Sequence, residues 1–400
     1  RIPMDDPLTF KLYCEAKTTG VFQLESSGTK RLLRDMQPTV FEDIVSTLAL
    51  YRPGPLGSGM VDDFVMCKNG RKPVTFSHPL LKPLLHETYG VMVYQEQIMQ
   101  LVQVLAGFSL GQADLLRRAI GKKIPEVLEE QRSKFVEGCL ANPEFVSQCP
   151  QKTTPQEKAN EIFDLIQYFS GYGFNKSHSA AYAMLSYQTA WLKNHYPADF
   201  MAAALSADME HTDKIVTLVD ECRNLKIEVS PPDINLCDYD FAVASESSIR
   251  YGLGAVKGVG QKAVENILTE RNANGPFVDL FDFCLRVDGQ KCNKRACEAL
   301  ITSGSLDVFG GHRAALLSNL PAAMSLAGQH EDTRSSGQGD MFGLQPPENV
   351  QTNNTSVRPW SERKRLEEER KSLGLYLSGH PILYHASELK QIVDGKIVSI

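Results

Sequence analysis

The spacing of apolar residues predicts a mostly helical chain from about residue 10 to 228. In the stretch QEQIMQLVQVLAGF, apolar positions recur at intervals of three and four: Ile98, Leu101, Val102 and Leu105. The stretch EIFDLIQYFSGYG repeats this pattern before two glycines that end a helix. The following helix is predicted to begin at Ser177, a good N-cap residue, and to run to the Tyr196–Pro197 step. Pro197 suits the first turn of another helix.

The pattern changes near residue 229. The stretches SPPDINLCDYDFAV and SSIRYGLGAV are proline-rich and then alternating, which predicts a boundary followed by a small mixed segment. Helical spacing resumes from Gly258 to about Ala327. Residues 328–356 are polar and rich in Gly, Pro, Ser, Asn and Gln, so we expect a flexible linker there. A charged helix in SERKRLEEERKSLG follows.

Composition places the chain among globular proteins. It has 400 residues, of which 42% are hydrophobic and 22% charged, enough for about two or three domains. No apolar run is long enough to span a bilayer, and the charged start RIPMDDPLTF does not resemble a signal peptide. The net charge of −6 argues against a uniformly basic surface but permits a local basic groove. Because the chain lacks an initiator Met and ends in the strand-like GKIVSI, we expect it to be part of a longer protein.

The nine cysteines favour reduced thiols. Their number is odd and their spacing irregular. Cys292 and Cys297 lie in the helical-looking KCNKRACEAL without a second Cys or His pair at zinc spacing. Structural cysteines are therefore favoured there over a metal site.

The stretch GYGFNKSHSAAYAM (171–184) places Lys176 and His178 at the start of a helix. A helix N-terminus has unpaired N–H groups and partial positive charge, which makes it an anion site, and glycines permit close approach. A phosphate fits this chemistry. The alternative is an exposed lysine beside a core histidine in a loop that needs glycines to turn.

The stretch LLRRAIGKK (115–123) concentrates positive charge. Its cations are Arg117, Arg118, Lys122 and Lys123, whereas Leu115, Leu116 and Ile120 are expected to face a core. Cations are favourable in the last turn of any helix. Four of them in seven residues nevertheless repel one another, and a polyphosphate would relieve that repulsion.

The stretch GLGAVKGVGQKAVENIL (252–268) has the form of a helix-hairpin-helix. A tight turn leads directly into a helix, and two lysines flank it. Backbone amides in such a turn grip a DNA phosphate without reading sequence. The turn alone is common in proteins, so a purely structural role remains open. The candidate DNA-binding residues are Lys257, Gly258, Val259, Gly260 and Lys262.

Three further signals are weaker. Arg52 lies in the rigid turn LYRPGPLGSGM, and such turns occur everywhere. On a strand, Asp238 and Asp240 would point to the same face, as a two-metal site requires. We favour solvent-facing acids, because no third carboxylate lies in a similar strand nearby. In the linker, QGDMF carries Met341 and Phe342, which either fold back or anchor a partner.

Taken together, these stretches resemble the alpha subunit of bacterial DNA polymerase III, the C-family replicative polymerase. The resemblance covers essentially the whole chain. It is carried, in order, by GVFQLES (20–26), LYRPGP (50–55), YGVMVYQEQIMQ (89–100), LLRRAIGKK (115–123), FSGYGFNKSHSAAYA (169–183), PPDIN (231–235), VKGVG (256–260) and GLYLSGHP (374–381).

The resemblance implies a mainly α fold with a small β component and a particular order of domains. Residues 1–228 would form the fingers and 229–327 a tandem helix-hairpin-helix domain. Residues 328–356 would be a linker with a clamp-binding peptide, and 357–400 a helix with the start of an OB domain. The family's chemistry is nucleotidyl transfer by Mg²⁺ held on palm aspartates. Those aspartates would lie outside this chain, which would contain no catalytic or metal-binding residue of its own.

The resemblance also implies roles for particular residues. Arg117, Arg118 and His178 match positions that bind the triphosphate of the incoming deoxynucleotide, with Lys122 and Lys176 as neighbours. The QGDMF stretch resembles the sliding-clamp peptide, although Gly339 replaces a more usual residue. Its clamp-binding residues would be Gln338, Asp340, Met341 and Phe342.

Two functional hypotheses follow. The first is a replicative polymerase of the cytoplasm that binds primer-template DNA, deoxynucleotides, the sliding clamp and other holoenzyme subunits, but no membrane. The second is a non-catalytic helical adaptor that binds DNA and the clamp. A palm motif elsewhere in the complete protein would decide for the first.

Overall fold

A computed structural model describes residues 1–122, 125–170, 173–335, 357–385, 388–389 and 392. The chain divides into two compact units, Arg1–His195 and Tyr196–Ile400. Within the described residues both units are built mainly from helices, which confirms the predicted mainly α fold. None of the helices in this part of the chain is long and apolar enough to cross a membrane.

The first unit consists of helices joined by short loops. Two 3₁₀ segments, Pro79–Leu81 and His86–Thr88, flank its sixth helix. Its helices are α1 (Pro7–Cys14), α2 (Ser27–Met36), α3 (Phe41–Leu50), α4 (Pro53–Gly57), α5 (Met60–Lys68), α6 (Lys82–Leu85), α7 (Gln95–Ala106), α8 (Leu110–Lys122), α9 (Pro125–Ala141), α10 (Pro143–Ser147), α11 (Pro155–Ser170) and α12 (Lys176–His195).

Two apolar cores hold this unit together. One gathers α1, α2, α3, α5 and α12, with Tyr13 and Tyr187 fully buried. The other gathers α6 to α11, where α7 packs against α8 and α9. The predicted stripe of α7 is buried as expected, because Ile98, Leu101 and Leu105 all face this second core. The helices α7, α8 and α12 position the residues discussed below.

The second unit combines helices with a small sheet. Short 3₁₀ segments lie at Leu253–Ala255, Asp307–Phe309 and Pro381–His385. Its helices are α13 (Pro197–Ala207), α14 (Thr212–Asn224), α15 (Gln261–Asn274), α16 (Leu280–Arg286), α17 (Lys294–Ser303), α18 (Arg313–Ser335) and α19 (Glu362–Leu373), and its strands are β1 (Glu228–Ser230), β2 (Ala242–Ser245) and β3 (Ser248–Arg250).

The strands form a sheet of order β1-β3-β2. Val229 pairs with Ile249 in the parallel β1–β3 ladder, and Val243 pairs with the same residue from the antiparallel side. Ile249 is fully buried in the apolar core of this unit. The sheet thus supplies the mixed segment that the alternating sequence near residue 240 predicts.

Two local predictions need correction. Helix α12 begins at Lys176, and its cap is Asn175 rather than Ser177, because the Asn175 side chain accepts the N–H of His178 at 2.8 Å. Helix α18 extends to Ser335, so residues 328–335 are helical where a linker was predicted. The rest of that segment, 336–356, lies outside the described residues.

The boundary between the two compact units lies between His195 and Tyr196, whereas the sequence predicts a domain boundary between residues 228 and 229. Helices α13 and α14 contribute Met201, Leu205, Leu218 and Cys222 to the core of the second unit. Pro197 occupies the first turn of α13, as predicted. The assignment of these segments to functional domains stays a prediction.

Candidate nucleotide and DNA interfaces

The N-terminus of α12 is already capped by protein groups. The carboxylate of Glu96 accepts hydrogen bonds from the backbone N–H of Lys176 at 3.0 Å and from the Asn175 amide at 2.9 Å. The Asn175 side chain in turn accepts the N–H of His178. Two of the N–H groups predicted to be open to an anion are therefore engaged, and the expectation of unpaired donors is wrong for Lys176 and His178.

The two predicted cations at this helix end lie among aromatic rings. The ammonium of Lys176 contacts both carboxylate oxygens of Glu87 at 2.8 Å. It also lies 5.4 Å from the centre of the Tyr94 ring. The His178 ring is 5.6 Å from the ring of Phe174 and 4.4 Å from that of Tyr182. His178 is exposed, so it is the reverse of a satisfied core histidine.

On α8, one carboxylate holds two arginines. Asp114 accepts from Arg117 at 2.7 Å and from Arg118 at 2.8 Å. The hydrogen bond from Arg117, followed by the charge of Arg118, keeps the pKa of Asp114 below its ordinary value. Adjacent helix residues diverge by about 100°, yet long side chains bring both guanidinium groups to the same acceptor. The two guanidinium groups therefore lie within reach of the same anionic group.

The leucines and lysines of the LLRRAIGKK stretch have separate outcomes. Leu116 is buried as expected, but Leu115 is 61% exposed, so the prediction that it faces a core is wrong. Lys122 is the last residue of α8, and its side chain lies outside the described residues, as does Lys123.

Gln95 joins α8 to the start of α12. Its side-chain oxygen accepts from Arg117 at 3.2 Å, and its amide donates to the carbonyl of Gly173 at 3.1 Å. The backbone of Phe174 pairs on both sides of Tyr94, donating to Val93 at 3.0 Å and accepting from Gln95 at 2.9 Å. These contacts bring Arg117 beside the segment that leads into Lys176 and His178, although about sixty residues separate them in sequence.

Arg52 also lies beside Phe174, close to the cations described above. The sequence did not predict this placement. Arg52 precedes α4, and its guanidinium lies 4.5 Å from the centre of the Phe174 ring while its Nε donates to the carbonyl of Ala49 at 2.8 Å. A cation over an aromatic face is held electrostatically. The LYRPGP motif was the available signal, but nothing in its local pattern indicates Phe174. We call Arg52, Arg117, Arg118, Lys176 and His178 the fingers cation cluster.

In the second unit, the turn before α15 adopts the predicted tight geometry. Gly258 has φ of +89°, which only glycine adopts without strain. Gly260 has φ of −79°, and a Cβ built there meets nothing within 4 Å. The conformational need for glycine therefore lies at Gly258. At Gly260 the missing side chain leaves open space in front of the helix.

Val259 anchors this turn. Its side chain is buried in the core, and its N–H donates to the carbonyl of Val256 at 3.1 Å. Neither group is available to DNA, which removes the basis for counting Val259 among the DNA contacts.

The exposed side of the turn carries free donors. Within the described residues, the backbone N–H groups of Gly260, Gln261 and Lys262 donate no hydrogen bond. The side chains of Lys257 and Lys262 are exposed, and neither forms an ion pair with a described residue. Together these groups make an uncompensated positive end on α15. This is the arrangement that binds a phosphate.

The remaining sequence predictions concern a metal site and the clamp-binding residues. Asp238 is exposed and pairs with Arg271 at 2.7 Å, so it is a solvent-facing acid, as predicted. In the described part of the chain, no group of three or more His, Cys, Asp or Glu is placed to hold a metal ion. The candidate clamp-binding residues Gln338, Asp340, Met341 and Phe342 lie outside the described residues.

Two segments of the chain match known protein families. Residues 1–143 match the sequence model of the bacterial DNA polymerase III alpha subunit finger domain, and residues 226–316 match that of a helix-hairpin-helix motif. The finger-domain match thus lies within the first compact unit, and the helix-hairpin-helix match lies within the second.

The whole chain is similar to bacterial proteins named DNA polymerase III subunit alpha. It is 51% identical to that of Vibrio cholerae over 99% of this chain, and 49% identical to that of Escherichia coli K12 over 98%. The protein of Pseudomonas aeruginosa is 46% identical over the full chain. The resemblance is confirmed: over nearly its whole length the chain is similar to the alpha subunits of bacterial DNA polymerase III. It spans about a third of the length of these relatives, 34% for the first two.

Proposed function

We propose that the complete protein containing this chain is a DNA-directed DNA polymerase, a cytoplasmic transferase of DNA replication that adds deoxynucleotides to a primer 3′ end. The relatives supply the reaction, and the fingers cation cluster is the observation that carries the assignment to this chain. Three segments of a finger-domain fold, at Arg52, Arg117 and Lys176, converge around Phe174 and Gln95.

The cluster is proposed to bind the triphosphate of the incoming deoxynucleotide. A triphosphate brings several negative charges, and the departing pyrophosphate gains more in the transition state. Fixed cations stabilise that charge without reorganising. In the described structure Asp114 and Glu87 neutralise three members of the cluster. Triphosphate binding is therefore an exchange of partners, in which phosphate oxygens replace carboxylate oxygens on Arg117, Arg118 and Lys176.

The turn before α15 is proposed to bind the phosphate backbone of primer-template DNA. The free donors at Gly260, Gln261 and Lys262 would point to one phosphate, and Lys257 and Lys262 would neutralise its neighbours. Such contacts fix position along the duplex and carry no sequence information.

Two further elements of the proposal lie outside the described residues. Mg²⁺ would be held on palm carboxylates elsewhere in the complete protein and would neutralise charge on the phosphates during transfer. The QGDMF stretch would bind the sliding clamp through Met341 and Phe342, and other holoenzyme subunits would bind the rest of the protein.

The second hypothesis, a DNA- and clamp-binding adaptor, predicts the same DNA contacts without chemistry. Primer extension with Mg²⁺ separates the two. We expect the complete protein to extend a primer and the isolated 400-residue chain to be inactive, because the palm carboxylates would be missing. Sustained extension by the isolated chain would overturn the domain assignment. It would also favour Asp238 and Asp240 as metal ligands. Inactivity of the complete protein would favour the adaptor.

A further inference from the structure

Three thiols that the proposed function does not use meet in the second unit. Cys284 lies on α16, Cys292 ends the loop before α17, and Cys297 lies in the first turns of α17. All three are buried. The Sγ atoms of Cys292 and Cys297 are 3.7 Å apart, and the Sγ of Cys297 is 3.6 Å from the carbonyl oxygen of Cys292. Each of the three is a free cysteine.

The thiols line a cavity of about 350 Å³, together with Asn266, Arg286 and Asp288. A water occupies about 30 Å³, so the cavity has room for several molecules of that size. Its polar lining suits a small polar guest such as a hydroperoxide. The buried thiols are therefore reachable by a small oxidant, although the bulk surface does not expose them.

The environment favours one thiolate. Hydrogen bonds from the thiols of Cys284 and then Cys292 lower the pKa of Cys297, against the opposing effect of burial. The positive end of α17 acts in the same direction, since thiols near helix N-termini ionise more readily. Both effects favour Cys297 as the first thiol to react. Cys292, at 3.7 Å, is placed to respond to its oxidation.

We propose that Cys292 and Cys297 form a reversible disulfide when a hydroperoxide enters this cavity. Cys297 ionises and its thiolate attacks one oxygen of hydrogen peroxide; the O–O bond breaks, and the departing hydroxide takes up the proton that Cys297 released, giving a sulfenic acid and one water. The sulfur of Cys292 then attacks the sulfur of that acid, its proton goes to the departing hydroxyl, and water leaves. One hydrogen peroxide is reduced to two waters while two thiols are oxidised to one disulfide.

The closure requires only a small movement of the two sulfur atoms. A disulfide needs its sulfur atoms about 2.05 Å apart, so the two Sγ atoms must approach by less than about 2 Å. Cys292 belongs to a turn closed by its own N–H, which donates to the carbonyl of Asp288 at 2.8 Å, and the connecting segment contains only Asn293 to Ala296. Cys284 lies on a separate helix and remains the reduced third thiol.

Peptide mapping tests this assignment, because trypsin places the three cysteines on different peptides. Cys292 falls in residues 292–294, Cys297 in 296–313 and Cys284 in 272–286. The complete protein would be treated with hydrogen peroxide, unfolded with an alkylating reagent present, digested and analysed by mass spectrometry. We expect peptides 292–294 and 296–313 to appear as a linked pair that dithiothreitol separates.

Two variants sharpen the test. Cys284→Ser should retain the linked pair, whereas Cys292→Ser should leave Cys297 as a sulfenic or higher acid. Cys139, a buried thiol of the first unit, serves as an internal control that should stay fully alkylated. The proposal is overturned if the wild-type protein gives no linked pair at peroxide concentrations that oxidise other thiols. It is equally overturned if Cys297 links to Cys284, or if the pair forms only after unfolding in urea.

Discussion

The Glu96 carboxylate accepts a hydrogen bond from the backbone N–H of Lys176, the first residue of α12, at a distance of 3.0 Å. An acidic side chain of the protein therefore occupies the helix end that the sequence offers to an anion. The cations around that end are partly exposed, and so are the carboxylates that pair with them. In this account the cations of the fingers, rather than the helix N-terminus, bind the triphosphate.

Substitutions at the two glycines of the hairpin turn should affect protein stability and DNA binding separately. Gly258→Val places a branched side chain at φ of +89° and should cost about 1–3 kcal/mol of stability. Gly260→Ala meets no neighbour in the chain and should leave the unfolding midpoint unchanged. Its methyl group would instead obstruct the DNA phosphate. Thermal unfolding and fluorescence anisotropy with a labelled duplex measure the two effects. Undiminished DNA binding by Gly260→Ala would remove the turn from the interface.

The lysines that flank the turn should contribute charge without sequence preference. Lys257→Ala and Lys262→Ala should each weaken DNA binding to a similar degree on unrelated duplexes. Each should also reduce the slope of log affinity against log salt by about one unit. The measurement is anisotropy over a salt series. Lys294→Ala is a matched control, since Lys294 lies on α17 and faces Glu298. Losses confined to one DNA sequence would indicate base readout instead.

A buried ion pair should hold α19 to the second unit. Glu369 is 1% exposed and accepts from Arg313 at 3.4 Å and from the backbone N–H of Leu377 at 2.9 Å. Glu369→Ala leaves Arg313 paired with Asp307 at 2.7 Å but removes the acceptor of the Leu377 N–H, and should cost about 1–3 kcal/mol. Urea unfolding checks this value. Glu367→Ala, an exposed neighbour paired with Arg363, should cost less than about 1 kcal/mol. Equal effects of the two substitutions would contradict the role of burial.

The QGDMF stretch, proposed to bind the clamp, should act independently of the fold. Met341→Ala combined with Phe342→Ala should abolish binding to the sliding clamp, because apolar anchors in a pocket typically cost about 2 kcal/mol or more each when removed. The unfolding midpoint should not change, since a polar linker carries no core. Surface plasmon resonance on immobilised clamp and a thermal melt test both statements. A matching loss of stability would mean that the pair packs on its own protein.

Local patterns predicted much of the fold and less of the site. The helices α7, α11 and α12 and the turn at Gly258 follow from apolar spacing and glycine placement. The partners of the predicted cations do not, because Gln95, Glu87 and Arg52 approach Gly173, Lys176 and Phe174 only after distant segments have packed together. Single-residue spacing carries no signal for such contacts. The exposed Leu115 shows the same limit, since helical period alone did not indicate which neighbouring leucine faces the core.

The most direct test of the central claim is nucleotide kinetics of Arg118→Ala and His178→Ala in the complete protein. Arg118 is chosen because it shares Asp114 with Arg117 and is itself well exposed. Each substitution should lower kcat/KM for deoxynucleotide on the order of 100-fold, by analogy with a lost oxyanion donor, while affinity for primer-template DNA stays nearly unchanged. Arg31→Ala, an exposed arginine on α2, is the control and should behave as wild type. If both variants retain wild-type nucleotide kinetics, the fingers cation cluster does not bind the triphosphate.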